Sequence, residues 1–235
     1  MSFLSAIVEV VQITAPIFII IALGFFIRKI RLINEDGVTM LTRLAYNIGL
    51  PALFFLNITN YRLSEIFDVN IIKVIYSSYG IFLIFLLLSN LLVKRSRKTR
   101  GAVIVSSFRC NMAFIGLPIL WAAYGSLALA RGSLVIAFLV PLKIVLSVFL
   151  FKLYDNRRSK IDLKKILKSI VTDPLVIGTV LGIIFSSLGV GLPGFIHDSL
   201  DIISGMTVTI ALLSIVSSFR FDHLKRDLKI VSFIS

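Results

Sequence analysis

The chain has 235 residues, 57% of them hydrophobic, and a mean hydropathy of +0.98, which excludes a water-soluble globular domain. A formal net charge of +13 would suit nucleic acid, but nearly all Lys and Arg sit in four short clusters between apolar runs, the pattern of cytoplasmic membrane loops. The single cysteine, Cys110, lies inside an apolar run, so no intramolecular disulfide is possible.

Apolar runs of about 18 residues or more predict transmembrane helices. Met1 to Gln12 carries one acid and no base, and lacks the positive start and small-residue cleavage site of a signal peptide. The first predicted span, 9–27, is followed at once by Arg28, Lys29 and Arg31, which anchor a retained helix with its N-terminus outside. Further spans are predicted at 41–58, 70–93, 101–122, 131–151, 171–190 and 199–218, and an eighth begins near residue 228. In this orientation the cytoplasmic loops are 28–43, 94–100, 152–168 and 220–229, which hold 20 of the 25 Lys and Arg. Arg62, Lys73 and Arg131 lie toward the outer side; Arg109 and Lys143 are left inside the membrane.

The second predicted span contains Asn47, Gly49 and Pro51, a polar residue followed by helix breakers. The fourth repeats that device more strongly. Arg109-Cys-Asn-Met-Ala-Phe-Ile-Gly-Leu-Pro118 sets a cation, an amide and a Gly-x-Pro breaker in apolar surroundings. A charge near the bilayer centre costs roughly 2.5–3.5 kcal/mol, so it marks function by default. Pro118 has no N–H to donate and its ring crowds the preceding turn, which predicts a kink or break near Gly116. Broken helices at that depth survive only inside protein or beside a water-filled cavity, and in transporters that is where substrates bind.

Helical rise places Asn111 about 16 Å beyond Arg100 and Lys143 about 13 Å from Lys152, so the two can share a layer. On an unbroken helix Ser107, Asn111 and Ile115 form one stripe, continued to Pro118, and Arg109 points roughly the opposite way. Asn111 is therefore expected to face the cavity, while Arg109 serves either the site or the membrane edge by snorkelling. Lys143, two residues after Pro141, is either an anion-attracting group or a snorkelling lysine. The candidate substrate-binding set is Asn111, Gly116, Pro118, Ser107, Asn47, Pro51 and Lys143.

Other chemistries have no support. His197 and His223 have no carboxylate or cysteine at ligand spacing, so neither a metal nor a cofactor is expected. No hydrolase, zinc-protease or phosphate-loop motif occurs, and no enzyme is expected. Asp173 and Asp201 fall near span ends, leaving no carboxylate relay at mid-depth.

In the loop 152–168, Lys164, Lys165 and Lys168 interleave with Ile161, Leu163, Ile166 and Leu167. Two readings stand: an interfacial or lipid-sensing helix, and a solvated linker positively charged for topology. The loop separates a first five-helix unit, 1–168, from a second, partial unit, 169–235. Thr14-Ala-Pro16 with Leu23-Gly24 matches Thr172-Asp-Pro174 with Leu181-Gly182 at an offset of 158, and Pro51-Ala-Leu-Phe meets Ile210-Ala-Leu-Leu at 159. Five spans per unit is odd, so such copies are inverted in the membrane, as in many secondary transporters; chance likeness of apolar text is the alternative. On the repeat reading the second unit is incomplete, and an open groove is expected beside the fourth span.

Asn111-Met-Ala-Phe-Ile-Gly-Leu-Pro118 resembles the fourth-span motif of the auxin efflux carrier family. Leu50-Pro51-Ala-Leu-Phe54, the basic loop 94–100 and Thr172-Asp-Pro174 resemble that family too, and the similarity runs along essentially the whole chain. The resemblance implies an all-α membrane protein of inverted five-helix repeats with crossed, broken fourth and ninth helices, a bile-acid-symporter-like fold. It implies a scaffold of spans one, two, six and seven that often forms a homodimer contact, and a mobile unit of the remaining spans. Family members carry small organic anions, dicarboxylates in bacteria and auxin in plants; Asn111 and the Pro118 crossing carry over as the substrate site. Ile210 departs from the pattern, standing where members often have proline, and the ninth and tenth spans do not occur in this sequence. The expected function is secondary transport of small carboxylates across the cytoplasmic membrane; the alternative is a non-transporting paralogue with a binding or regulatory role. The partners expected are the anion and the lipid bilayer, with no nucleic acid.

Overall fold

A computed structural model describes residues 3–92, 96–109, 111–154 and 162–217; these form helices, with no strand among the described residues. The predicted eighth span and the loop 220–229 lie outside them.

Helix α1 (Phe3–Lys29) is apolar nearly throughout and ends on Arg28 and Lys29, where cations favour the negative end of the helix dipole. Arg28 also pairs with Glu35 at 3.1 Å, tying the end of α1 to the start of α2 (Glu35–Leu44). Asn34 caps α2 by accepting the Gly37 N–H at 2.8 Å. The span continues through a π-helical turn, Ala45–Gly49, into α3 (Leu50–Thr59). The short α4 (Leu63–Ile66) and the long α5 (Val69–Leu92) follow.

Helix α6 (Arg97–Phe108) then stops. Arg109 and Asn111 take non-helical backbone angles, a second π-helical turn runs over Met112–Gly116, and α7 (Leu117–Tyr154) begins. Both π turns pass into the following α-helix through the same four residues, Ile-Gly-Leu-Pro, at 48–51 and 115–118. A proline in an α-helix removes one donor and presses its ring on the carbonyl four residues back. A π turn relieves this by bonding one residue further back: Leu50 N–H donates to Ala45 O, and Leu117 N–H to Met112 O. The break predicted near Gly116 is therefore displaced. Gly116 stays within a helical turn, and the chain leaves helical geometry at Arg109–Asn111 instead.

The backbone of α7 reverses at Gly125, whose φ of 75° and ψ of −167° are accessible to glycine but strained for other residues. Leu117 and Leu120 consequently pack against Gly132, and Gly101 of α6 meets Tyr154 at the far end. The broken leg, α6 to residue 124, lies antiparallel on residues 126–154, so the boundary between the fourth and fifth predicted spans falls at Gly125. Helix α8 (Leu163–Val171) is bent by 59° from α9 (Pro174–Leu188), and α10 (Gly194–Ser217) closes the described chain. Among the described residues five stretches are long and apolar enough to cross a membrane, with the bent α8–α9 pair a sixth, and the longest, Thr99–Tyr154, contributes both legs of the reversal.

Helix α1 packs on α10, α3 on α9, and α3 on α10. These approaches are close: a Cβ added to Gly24 would lie 2.5 Å from Leu213 O, and one added to Gly182 would lie 3.2 Å from Phe55 O. Small residues of this kind let backbones meet where no hydrophobic driving force separates protein from lipid. The main buried cluster, including Leu50, Phe54, Leu117, Ile136 and Leu175, sits where α3, α7 and α9 converge. Along the broken span one side stays open, with Ile115, Ile119 and Trp121 exposed.

Candidate functional site

At the break lies a cavity of about 400 Å³, walled by the two legs of the reversal, the first π turn and the start of α9. Its polar lining is Tyr46, Arg109, Asn111, Lys143 and Asp173. Each of these reaches the cavity for a local reason.

Arg109 ends α6, its N–H donating to Val105 O at 3.3 Å, and its φ/ψ of −86°/46° swings the chain out of the helix. Asn111 starts the next turn: its Oδ1 accepts the Phe114 N–H at 3.2 Å. This cap fixes the amide's orientation, because the backbone donor must face oxygen. Its Nδ2 hydrogens meet no protein acceptor among the described residues, so what Asn111 offers a ligand is a donor. The helical wheel placed Arg109 opposite Asn111; the break removes that wheel, and both line one cavity. It also uncouples Ser107, which stays exposed on α6 and donates to Val103 O at 2.8 Å, outside the cavity.

Lys143 comes from the other leg. Its Nζ lies 5.8 Å from the centroid of the Tyr79 ring of α5, a cation–π contact that holds a charge in an apolar layer. Tyr79 itself donates to Phe108 O at 3.4 Å, so the same ring touches both the end of α6 and the lysine.

Asp173 was placed near a span end by sequence, and the structure carries that end to the cavity. It caps α9, with Oδ1 accepting the N–H groups of Leu175 at 3.0 Å and Val176 at 3.4 Å, and Pro174 follows at the first helical position, where no N–H is needed. Its Oδ2 accepts the Tyr46 hydroxyl at 2.9 Å. The carboxylate thus has three donors and a helix N-terminus to offset its charge. Asp-Pro was readable as a helix start, but nothing in the sequence joined it to Tyr46, 127 positions away.

The remaining predicted residues lie elsewhere. Asn47 is exposed and donates to Arg43 O at 2.8 Å, because its neighbour Tyr46 takes the inward position on the π turn. Pro51 packs its backbone against α9 at Gly178. Pro118 is buried in the first turn of α7. Gly116 lines a second, mainly apolar cavity of about 360 Å³, together with Ile75, Leu120 and Arg131. Arg131 is held there by Glu65 O, at 2.9 Å from one terminal nitrogen. Met112 and Ile136 line both cavities and so form the partition between them, a role no sequence signal marked. Among the described residues no group of three or more His, Cys, Asp or Glu gathers.

Residues 9–230 match the family model described as membrane transport protein. An uncharacterized transporter of Methanocaldococcus jannaschii is 26% identical over 217 residues, 89% of this chain and 68% of that protein. One from Methanothermobacter thermautotrophicus is 24% identical over 223 residues, 93% of this chain and 71% of its own length. With a match over nearly its whole length, on a bundle of apolar helices interrupted inside the membrane, the chain belongs to the membrane transport protein family, that of the auxin efflux carriers, and is a multi-pass transporter.

Proposed function

We propose that the chain is a secondary carrier of small organic anions, with carboxylates the fitting class, across the cytoplasmic membrane, its N-terminus outside. The observation that carries this reading is the composition of the cavity at the helix break. Two cations, Arg109 and Lys143, and the Asn111 amide donor face a space whose one carboxylate, Asp173, is already engaged by Tyr46 and α9. An anion leaving water for the membrane interior loses its hydration, and fixed donors and cations in a low-dielectric site offset that cost most effectively. The volume, about 400 Å³, lies in the range of small-molecule sites. Lys and Arg placement supports the orientation, since 20 of the 25 fall on one side of the predicted spans.

The inverted-repeat organisation, units 1–168 and 169–235, draws support from packing. Gly24 and Gly182 are 158 positions apart, and the carbonyls they abut, Leu213 and Phe55, are also 158 apart. Swapping the units therefore exchanges the α1–α10 contact with the α9–α3 contact, which an internal pseudo-two-fold requires and chance likeness of apolar text does not.

The test is counterflow of radiolabelled succinate, malate and a monocarboxylate in liposomes holding the purified protein. Carboxylate loaded inside should drive uptake of label, and neutral sugars or organic cations should not. Absence of both counterflow and carboxylate-induced thermal stabilisation would sink the reading; stabilisation without counterflow would favour a binding role instead.

A further inference from the structure

Helix α8 takes no part in the cavity lining, yet among the described helices it has the sharpest division of faces. Leu163, Leu167 and Val171, each four residues from the next, form one row, exposed by 74%, 63% and 61%. Ile166 and Ile170, on the adjoining part of the same face, are half-buried where α8 packs on α7 and α9. Lys164, Lys165 and Lys168 occupy the opposite arc, all exposed. Lys165 pairs with Asp162 at 3.5 Å; Lys164 and Lys168 form no ion pair among the described residues. Asp162 caps the helix through the Lys165 N–H at 3.2 Å, so α8 is a closed unit and not a fraying extension of α9. The bend of 59° sets it off the axis of that spanning helix.

We propose that α8 is an interfacial anchor that lies on the membrane surface and docks on anionic lipid headgroups. An exposed leucine row beside a lysine arc, at the end of a membrane span, has its apolar side at acyl depth and its cations at phosphate depth when laid flat. Charge selects the occupant: three lysines attract a negative lipid surface, whereas a second copy of a chain with net charge +13 would present the same lysines to them. The anchor ends two residues before Asp173, so the lipid surface also fixes the corner from which Asp173 reaches Tyr46. This inference rests on the chain crossing a membrane and is independent of what it carries.

The experiment places a nitroxide at Leu167→Cys or Lys168→Cys in the full chain with Cys110→Ser, reconstituted in phosphatidylcholine vesicles with and without phosphatidylglycerol. Oxygen collisions should exceed those of a water-soluble nickel chelate several-fold at position 167 when phosphatidylglycerol is present, with the reverse at 168. Replacing Lys164, Lys165 and Lys168 together by Gln should return position 167 to its value in phosphatidylcholine alone. Leu167→Trp in a Trp121→Phe background, quenched by brominated lipid, gives the same readout with Cys110 untouched. Equal water access at 167 in both lipids overturns the proposal, as does burial there that ignores lipid charge. Spin–spin broadening at 167 also overturns it, by showing a second copy on that face.

Discussion

The Tyr46 hydroxyl donates to Asp173 Oδ2 across 2.9 Å, joining the π turn of the second span to the cap of α9 at the wall of the cavity. Tyr46→Phe deletes the donor and leaves the carboxylate one partner short, beside Arg109 and Lys143. A hydrogen bond to a charged group contributes about 1.5–3 kcal/mol, part of which the cavity cations recover by turning toward Asp173. Thermal unfolding in detergent should show a loss of about 1 kcal/mol, and anion affinity should fall as the cations are diverted. Unchanged affinity with lowered stability would mean that the pair is structural only.

Asn111 does two jobs that substitution can separate. Asn111→Asp keeps an oxygen for the Phe114 N–H, so stability should change by less than about 0.5 kcal/mol. It replaces the Nδ2 donors with negative charge, and carboxylate affinity should drop at least tenfold, about 1.4 kcal/mol. Asn111→Leu removes cap and donor together, with affinity falling about five- to 150-fold, or roughly 1–3 kcal/mol. Ser107→Ala, outside the cavity, should leave affinity unchanged. If Asn111→Leu folds and binds as before, the amide takes no part in binding, and Arg109 and Lys143 of the same cavity are the next residues to replace.

Gly125→Ala tests the reversal of α7. Apart from adjoining backbone and its two chain neighbours, nothing lies within 4 Å of the added Cβ, so the effect is on the backbone: φ of 75° with ψ of −167° costs a non-glycine residue about 1–3 kcal/mol. The unfolding midpoint should fall accordingly. Gly80→Ala in α5 also meets open space but within a regular helix, and should be neutral or slightly stabilising.

Orientation is checked by labelling intact cells with a membrane-impermeant maleimide. A cysteine at Lys164 should resist labelling until the cells are opened, and one at Gly191, between α9 and α10, should label from outside. The reverse pattern would invert the topology.

Hydropathy was enough to find the spans because lipid demands about 20 apolar residues per pass, whatever the fold. It also found the fourth span as the one that breaks, since cation, amide and proline are costly there. What it missed came from geometry that residue type does not carry. Two π turns absorbed Pro51 and Pro118, so the break moved to Arg109–Asn111 and the wheel that separated Arg109 from Asn111 no longer applied. Ser107 and Asn47 lie outside the cavity, Ser107 because the break uncouples it from Asn111 and Asn47 because Tyr46 takes the inward position on its π turn. Tyr46 and Asp173 became neighbours only through the packing of α3 on α9. In 152–168 the lysine–leucine interleaving was visible, but the bend and the exposed leucine row that support the anchor reading were not.

The two Ile-Gly-Leu-Pro turns also change what kind of variation can reshape this protein. A π turn takes one more residue into a given rotation, so everything upstream is re-aimed by about 100° relative to a continuous α-helix. Helix α2, upstream of the first turn, packs on α10 with Val38 buried. An insertion or deletion within 45–49 would turn α2 so that another face meets α10 in place of Val38. Chain length at these two points is therefore a steering variable: it decides which face of α2 meets α10, without any substitution in α2 itself.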